Sequence, residues 1–352
     1  MKSKTYRILD ANINRISEGL RVLEDVARFE FEDSGLTEKL KHMRHRVRKA
    51  VHELGFSFIG QRDSLNDPGV IISEKTRLDQ KDSYSDLVAA NFKRVQEGLR
   101  VVEETLKISG FYDISKVYES LRFNVYTVEK EYYGILGEFR RKSILASDFY
   151  CLTSEAHSKG KTNIQVIREM LAAGIKIIQY REKEKSMLEK YNECLAIRAL
   201  AKEAGAKFIV NDHVDLAMMT DADGVHIGQD DLPVREVRKL VGEKMAIGIS
   251  THSPEQAEEA VRNGADYIGV GPIFKTYTKK DVCDPVGFEY LDYVVKHISL
   301  PFVAIGGIKE SNIRQVKDHG ATCIAMVTEI VEAGNISDKI AKLRTAAGFI
   351  NA

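Results

Sequence analysis

Eight short apolar runs, most of them separated by amphipathic stretches of helical spacing, occupy the chain from Ser147 onward and leave few folds open to it. The runs are DFYCLT, IKIIQYR, AKFIVND, GVHIGQ, MAIGIS, DYIGVGPIF, PFVAIGG and TCIAMVTEI. Between them lie segments such as VIREMLAAG, CLAIRALAKEAG, VREVRKLVG and PEQAEEAVRNG. Strands alternating with helices call for a parallel sheet, because each helix carries the chain back to start the next strand. Eight such units in about 200 residues predict a closed (β/α)8 barrel rather than an open doubly wound sheet. Ala173-Gly174, Ala204-Gly205, Asn263-Gly264 and His319-Gly320 mark helix ends that feed the following strand. From about Tyr6 to Phe139 the apolar residues instead recur at three- and four-residue spacing, with almost no strand signal. The sequence thus predicts an all-α N-terminal domain over residues 1–140 and an α/β domain, a TIM barrel, over 141–352.

In such a barrel the chemistry sits where strands end. The second run ends in Gln179, Arg181 and Lys183, which share one face of a strand while Tyr180 and Glu182 point away. The third ends in Asn211-Asp212, the fourth in Gln229-Asp230-Asp231 and the fifth in Ser250-Thr251-His252. The sixth leads into GPIFKTYTKKD, the seventh ends in Gly306-Gly307 and the eighth in Val327-Thr328. Two cations and an amide on one face suit an anion, phosphate above all. Asp212 and Asp231 offer hard oxygen ligands of the kind Mg²⁺ combines with phosphate oxygens. A lysine of Lys279-Lys280 would add charge, Thr276 and Thr278 add hydroxyls, and Gly306-Gly307 lets backbone approach an anion closely. Alternatively, Asp212 could cap the VDLAMM helix and Asp231 the PVREVRKL helix. His213, His226 and His252 fall near the rim and read as solvated or capping residues.

Composition narrows the class. Fifty-two basic residues balance 52 acidic ones, which argues against a general nucleic-acid or membrane-surface binder. No apolar run approaches a membrane span, and the start of the chain does not read as a signal peptide. Cys151, Cys194, Cys283 and Cys323 are scattered, as expected of reduced thiols in a cytoplasmic protein.

The ordered series QYREK, VNDHVDLA, GVHIGQDD, GISTHS, DYIGVGPIFKTYTKKD, VAIGGI and AMVTEI resembles the motif set of the thiamine phosphate synthases. The resemblance covers about Ser147 to Phe349. It implies a Mg²⁺-dependent barrel that joins a hydroxymethylpyrimidine diphosphate to a thiazole phosphate, releasing thiamine phosphate and diphosphate. It also implies a dissociative path needing no side-chain nucleophile. Carried over by position, Gln179, Tyr180, Arg181, Glu182, Lys183, Asn211, Ser250 and Lys279 would hold the pyrimidine diphosphate. Arg181, Lys183 and Lys279 would stabilise the leaving group. Asp212 and Asp231 would hold the metal, and Thr276, Tyr277, Thr278, Gly307, Val327 and Thr328 the thiazole phosphate. Two positions depart from the pattern: Thr328 stands where Ser is common, and Lys275 where Pro is usual. The partners implied are small phosphate and diphosphate substrates, with a homo-oligomer left open. The alternative is a thiazole tautomerase-like barrel, which would not need the complete diphosphate clamp.

The first half contains a repeat. NINRISEGLRVLE, from Asn12, matches NFKRVQEGLRVVE, from Asn91, and each copy is followed by a helical stretch carrying an arginine, Arg44 or Arg122. Two helical hairpins around a pseudo-twofold axis are expected. Ile16, Leu20 and Leu23 form the apolar stripe, edged by Asn12, Arg15 and Gly19; Asn91, Arg94 and Gly98 repeat that edge. A mid-helix glycine in both copies suggests close helix approach or room for a ligand, with Glu18–Arg21 and Glu97–Arg100 as candidate pairs. Arg62, Asp63 and Asp67, in a long connection, could face a phosphate or its metal, or form a solvated turn. This half resembles the helical domain fused to some thiamine phosphate synthases and proposed as an alternative hydroxymethylpyrimidine phosphate kinase. No Walker-type loop is present, and an interaction or regulatory domain is the rival reading.

Overall fold

The computed structural model describes residues 2–52, 84–243, 245–278 and 283–349. Arg62, Asp63 and Asp67 lie outside them. The chain divides into two compact units, Met1–Glu138 and Phe139–Ala352.

The first unit is built from α1 (Lys2–Phe29), α2 (Ser34–His52), α3 (Tyr84–Ile108) and α4 (Tyr112–Ile144), the last of which runs past the unit boundary. Ile16, Leu20 and Leu23 are buried together with Phe92, Val95 and Leu99 of α3, as the apolar stripe predicts. The repeated glycines serve the contact between α1 and α3. A Cβ on Gly19 would come within 2.8 Å of Val95 Cγ2, and one on Gly98 within 2.7 Å of Ile16 Cγ1. Each glycine therefore lets the other copy's helix approach, which favours the packing reading over a ligand gap. The same pseudo-symmetry governs the buried acids: Arg44 Nε donates to Glu24 at 2.9 Å and Arg122 Nε to Glu103 at 3.1 Å. Arg21 pairs with Glu24 and Asp25, and Arg100 with Glu103 and Glu104. These arginines look forward along their helices, not back to Glu18 and Glu97.

The second unit is a closed barrel of eight parallel strands in sequential order. They are β1 (Phe149–Leu152), β2 (Ile177–Tyr180), β3 (Lys207–Asn211), β4 (Gly224–Ile227), β5 (Ala246–Thr251), β6 (Tyr267–Val270), β7 (Phe302–Ala304) and β8 (Ile324–Met326). The helices between and after them are α5 (Asn163–Ala172), α6 (Met187–Glu203), α7 (Val214–Met219), α8 (Val234–Val241), α9 (Pro254–Asn263), α10 (Gly287–His297), α11 (Ile313–Asp318), α12 (Thr328–Val331) and α13 (Ile336–Ala347). The strand alternation sorts side chains into two cores. Phe149, Cys151, Ile178, Tyr180 and Phe208 pack in the large cluster shared with the helices. Tyr150, Ile177, Ile209 and Tyr267 turn into the barrel interior, where Ile144 and Leu145 join them from the segment before β1. Among the described residues no helix is long and apolar enough to cross a membrane.

Candidate active site

Loops following all eight strands line one cavity of about 860 Å³. That volume lies within the range of small-molecule sites. Its wall includes Gln179, Arg181, Lys183, Asn211, Asp212, Asp231, Ser250, Thr276, Tyr277, Thr278, Gly307, Val327 and Thr328. Lys279 lies outside the described residues. Tyr180 and Glu182, expected with them, do not line the cavity. The pleat turns Tyr180 outward, where its hydroxyl donates to Glu193 at 2.7 Å. Glu182 faces α5, accepting from Asn163 Nδ2 at 3.1 Å.

At one part of the rim, Lys183 Nζ donates to Asp212 Oδ2 at 2.8 Å. Burial works against ionisation of Asp212, but the Lys183 ammonium and a hydrogen bond with Asp231 outweigh it and hold the carboxyl below its usual range. The two aspartates, from consecutive strand ends, both line the cavity. Neither is a helix cap. His213 occupies the N-cap position of α7 and Pro233 that of α8, while Asp231 Oδ2 accepts from the Gly228 N–H at 2.7 Å. Among the described residues no group of three or more His, Cys, Asp or Glu is placed to hold a metal. A pair of carboxylates still suits Mg²⁺, which keeps waters and takes substrate phosphate oxygens.

At the loops after β6 and β7, Thr276 and Thr278 bring their hydroxyls within 3.3 Å of each other. Gly307 has φ 65°, and a Cβ there would stand 2.6 Å from the Lys275 carbonyl oxygen. Only glycine meets both demands, which lets the loops after β6 and β7 pack against each other. Tyr277, 81 % exposed, carries the Lys275 ammonium 5.5 Å from its ring centroid.

Below the rim runs a chain of polar side chains of which strand-end reasoning named Gln179, His226 and Ser250 but missed Tyr150 and Tyr267. Gln179 Nε2 donates to the Tyr150 hydroxyl at 2.8 Å, and Tyr150 and Tyr267 hydroxyls are 2.9 Å apart. His226 bridges Tyr267 at 3.1 Å and Ser250 at 3.1 Å through its two ring nitrogens. Gly248 makes the space, since a Cβ there would overlap the Tyr267 ring. Burial holds both phenols well above their ordinary pKa, so they stay neutral. His226 is therefore not a solvated histidine, and His252 also lines the cavity while contacting the Gly271 carbonyl. His213 is instead within 3.3 Å of the buried Lys190. The signal was present in the period-two pattern: in GVHI, Val225 and Ile227 face the helices, so His226 faces the interior.

Comparison with known proteins follows the same division. A family model described as thiamine monophosphate synthase matches residues 149–330, and one described as the ThiD2 family matches residues 7–131. A thiamine-phosphate synthase of Pelotomaculum thermopropionicum is 64 % identical over 201 residues, 57 % of this chain and 92 % of its own length. One from Prochlorococcus marinus strain AS9601 is 37 % identical over 333 residues, 94 % of this chain and 92 % of that relative. Among solved structures, a thiamine phosphate pyrophosphorylase from Pyrococcus furiosus matches with TM-score 0.54 and 32 % identity, covering 60 % of this chain and 99 % of that one.

Proposed function

The chain belongs to the thiamine monophosphate synthase family, and from that premise we propose which of its residues carry out the condensation. Its activity is a transferase reaction, thiamine-phosphate synthesis. In our reading a hydroxymethylpyrimidine diphosphate and a thiazole phosphate share this cavity. The observation that carries this reading is the composition of its wall. One set of strand ends supplies cations and two carboxylates, another supplies hydroxyls and a glycine backbone.

The bond that breaks joins the pyrimidine methylene carbon to the diphosphate oxygen, which departs with the electron pair. Arg181 and Lys183 neutralise that growing charge in a partly enclosed site, where fixed cations count for more than in water. Asp212 and Asp231 would hold Mg²⁺, whose chemistry when bound is further charge neutralisation on the diphosphate. The thiazole nitrogen lone pair then forms the new C–N bond to the methylene carbon. Gln179, with the Tyr150, Tyr267, His226 and Ser250 chain behind it, presents hydrogen-bond donors and acceptors to a flat heteroaromatic ring. Thr276, Thr278, Gly307 and Thr328 receive the second substrate's phosphate. No side-chain nucleophile is required.

For the helical unit, the ThiD2 match supports the kinase reading, phosphorylation of the pyrimidine monophosphate to the diphosphate that the barrel consumes. The test of the whole reading is a product assay on the full chain. Pyrimidine diphosphate, thiazole phosphate and Mg²⁺ should yield thiamine phosphate and diphosphate, and substituting ATP and pyrimidine monophosphate for the diphosphate should do the same. Failure of the first mixture refutes the barrel assignment. Failure of only the second refutes the kinase.

A further inference from the structure

We propose that Glu182 is a positioning residue that sets the Arg181–Lys183 pair toward the diphosphate, and is not itself a substrate ligand. The inference rests on the reading of that pair as the diphosphate clamp. The segment after β2 has two faces. Arg181 and Lys183 enter the cavity wall, and the residues around them are tied down behind it. Glu182 Oε1 accepts from the backbone N–H groups of Lys183 at 2.9 Å and Glu184 at 3.2 Å, while Oε2 accepts from Asn163 Nδ2 at 3.1 Å. One carboxylate thus fixes the turn that follows Arg181 and anchors it to α5.

Its neighbours hold the same turn from both sides. Arg181 N–H donates to Thr153 Oγ1 at 2.9 Å, and that hydroxyl donates back to the Arg181 carbonyl at 3.2 Å. Lys185 Nζ bridges Glu155 at 2.5 Å and Glu193 at 2.6 Å, and Glu193 also receives the Tyr180 hydroxyl. Without Glu182 two backbone donors lose their acceptor, and the peptide that carries Lys183 is free to turn. A clamp displaced by an ångström loses much of its value for a leaving group that must be met in place.

The experiment is steady-state kinetics of the full chain with Mg²⁺, varying each substrate. Glu182→Ala should raise KM for the pyrimidine diphosphate roughly 10- to 100-fold. It should leave KM for the thiazole phosphate within about twofold, with only a small fall in Tm that leaves the enzyme folded at the assay temperature. Glu182→Gln keeps the Oε1 acceptor and should recover most of the loss. In an Arg181→Ala/Lys183→Ala background, adding Glu182→Ala should change nothing further, because the group it acts through is gone. An undiminished additional loss there would make Glu182 an independent ligand and overturn the proposal. Equal effects on both substrates, or an activity loss that tracks lost Tm, would overturn it as general fold support. If Arg181→Ala/Lys183→Ala alone behaves as wild type, the clamp reading fails first, and this inference with it.

Discussion

Asp212 holds a φ of 61° in a three-residue turn closed by the His213 N–H donating to the Asn211 carbonyl at 2.7 Å. A non-glycine residue in that conformation costs on the order of 1–3 kcal/mol and persists where the surroundings fix it. Here the Asp212 N–H donates to the His226 carbonyl at 2.8 Å and Lys183 holds the carboxylate. Asparagine tolerates the same backbone, and the lost ion pair, being partly exposed, contributes no more than about 1 kcal/mol. Asp212→Asn and Asp231→Asn should therefore keep a near-normal Tm but lose activity, partly recovered at high Mg²⁺. A loss of Tm with unchanged magnesium dependence would place these residues in the fold alone. Glu182 gives a separate, pH-dependent test. Burial opposes its ionisation, but Asn163 and two backbone N–H groups hold its carboxyl below the usual range. A depressed folded pKa means stability that is present above about pH 4.3, the ordinary glutamate value, and is lost as pH falls through the folded value. The Tm difference between wild type and Glu182→Gln should be largest near neutrality and shrink in acid. A difference that stays constant from pH 6 down to 3 would refute that linkage.

At the scale of elements, the contact of α1 with α3 sets opposing terms against each other at one position. Alanine for glycine in a helix interior gains about 1 kcal/mol of propensity. At Gly98 the new Cβ would press on Ile16 at 2.7 Å, and at Gly19 on Val95 at 2.8 Å, and overpacking of that kind costs about 1–3 kcal/mol. Gly19→Ala and Gly98→Ala should each lower the thermal midpoint of the helical unit. Gly134→Ala in α4, where a Cβ meets nothing within 4 Å, should not. Equal behaviour of the three variants, followed by far-UV circular dichroism, would remove the packing role. The α1–α3 contact was legible because a repeated sequence implies a repeated interface. The barrel was legible for a similar reason, since eight apolar runs impose their own order. What was not legible was direction. Arg21 can reach an acid on either side along its helix, and the buried Glu24, shared with Arg44, decides for the C-terminal side. Tyr150 and Tyr267 escaped because they lie within strands, below the rim, where polar groups are assumed absent, and His226 was read as a solvated or capping residue. Their inward parity marked them, but only folding brings their hydroxyls and imidazole into one chain.

For the whole molecule, the decisive fact is that, among the described residues, each unit has a core of its own. One apolar cluster runs from Leu9 to Tyr132, and the two barrel clusters begin at Ile144. Every described residue lining the cavity falls between Tyr150 and Lys339. A unit with its own core and the described wall of the site can fold and act alone, so the barrel should make thiamine phosphate without the helical unit. Where it is cut matters. The motif series begins near Ser147, but Ile144 and Leu145, 1 % and 8 % exposed, belong to the barrel's interior cluster. Each buried aliphatic side chain contributes roughly 1.5–3 kcal/mol. Removing both should therefore cost a shortened barrel a large part of the 5–15 kcal/mol or so that a domain typically has. A fragment from Phe139 to Ala352 should then match the intact chain in kcat for thiamine phosphate formation. One starting at Ser147 should keep the same KM for both substrates but melt several degrees lower and lose active fraction on storage. If the longer fragment folds and binds both substrates yet makes no product, the helical unit is part of the synthase site and the independence of the barrel is refuted. If the two fragments melt together, Ile144 and Leu145 do not stabilise the barrel.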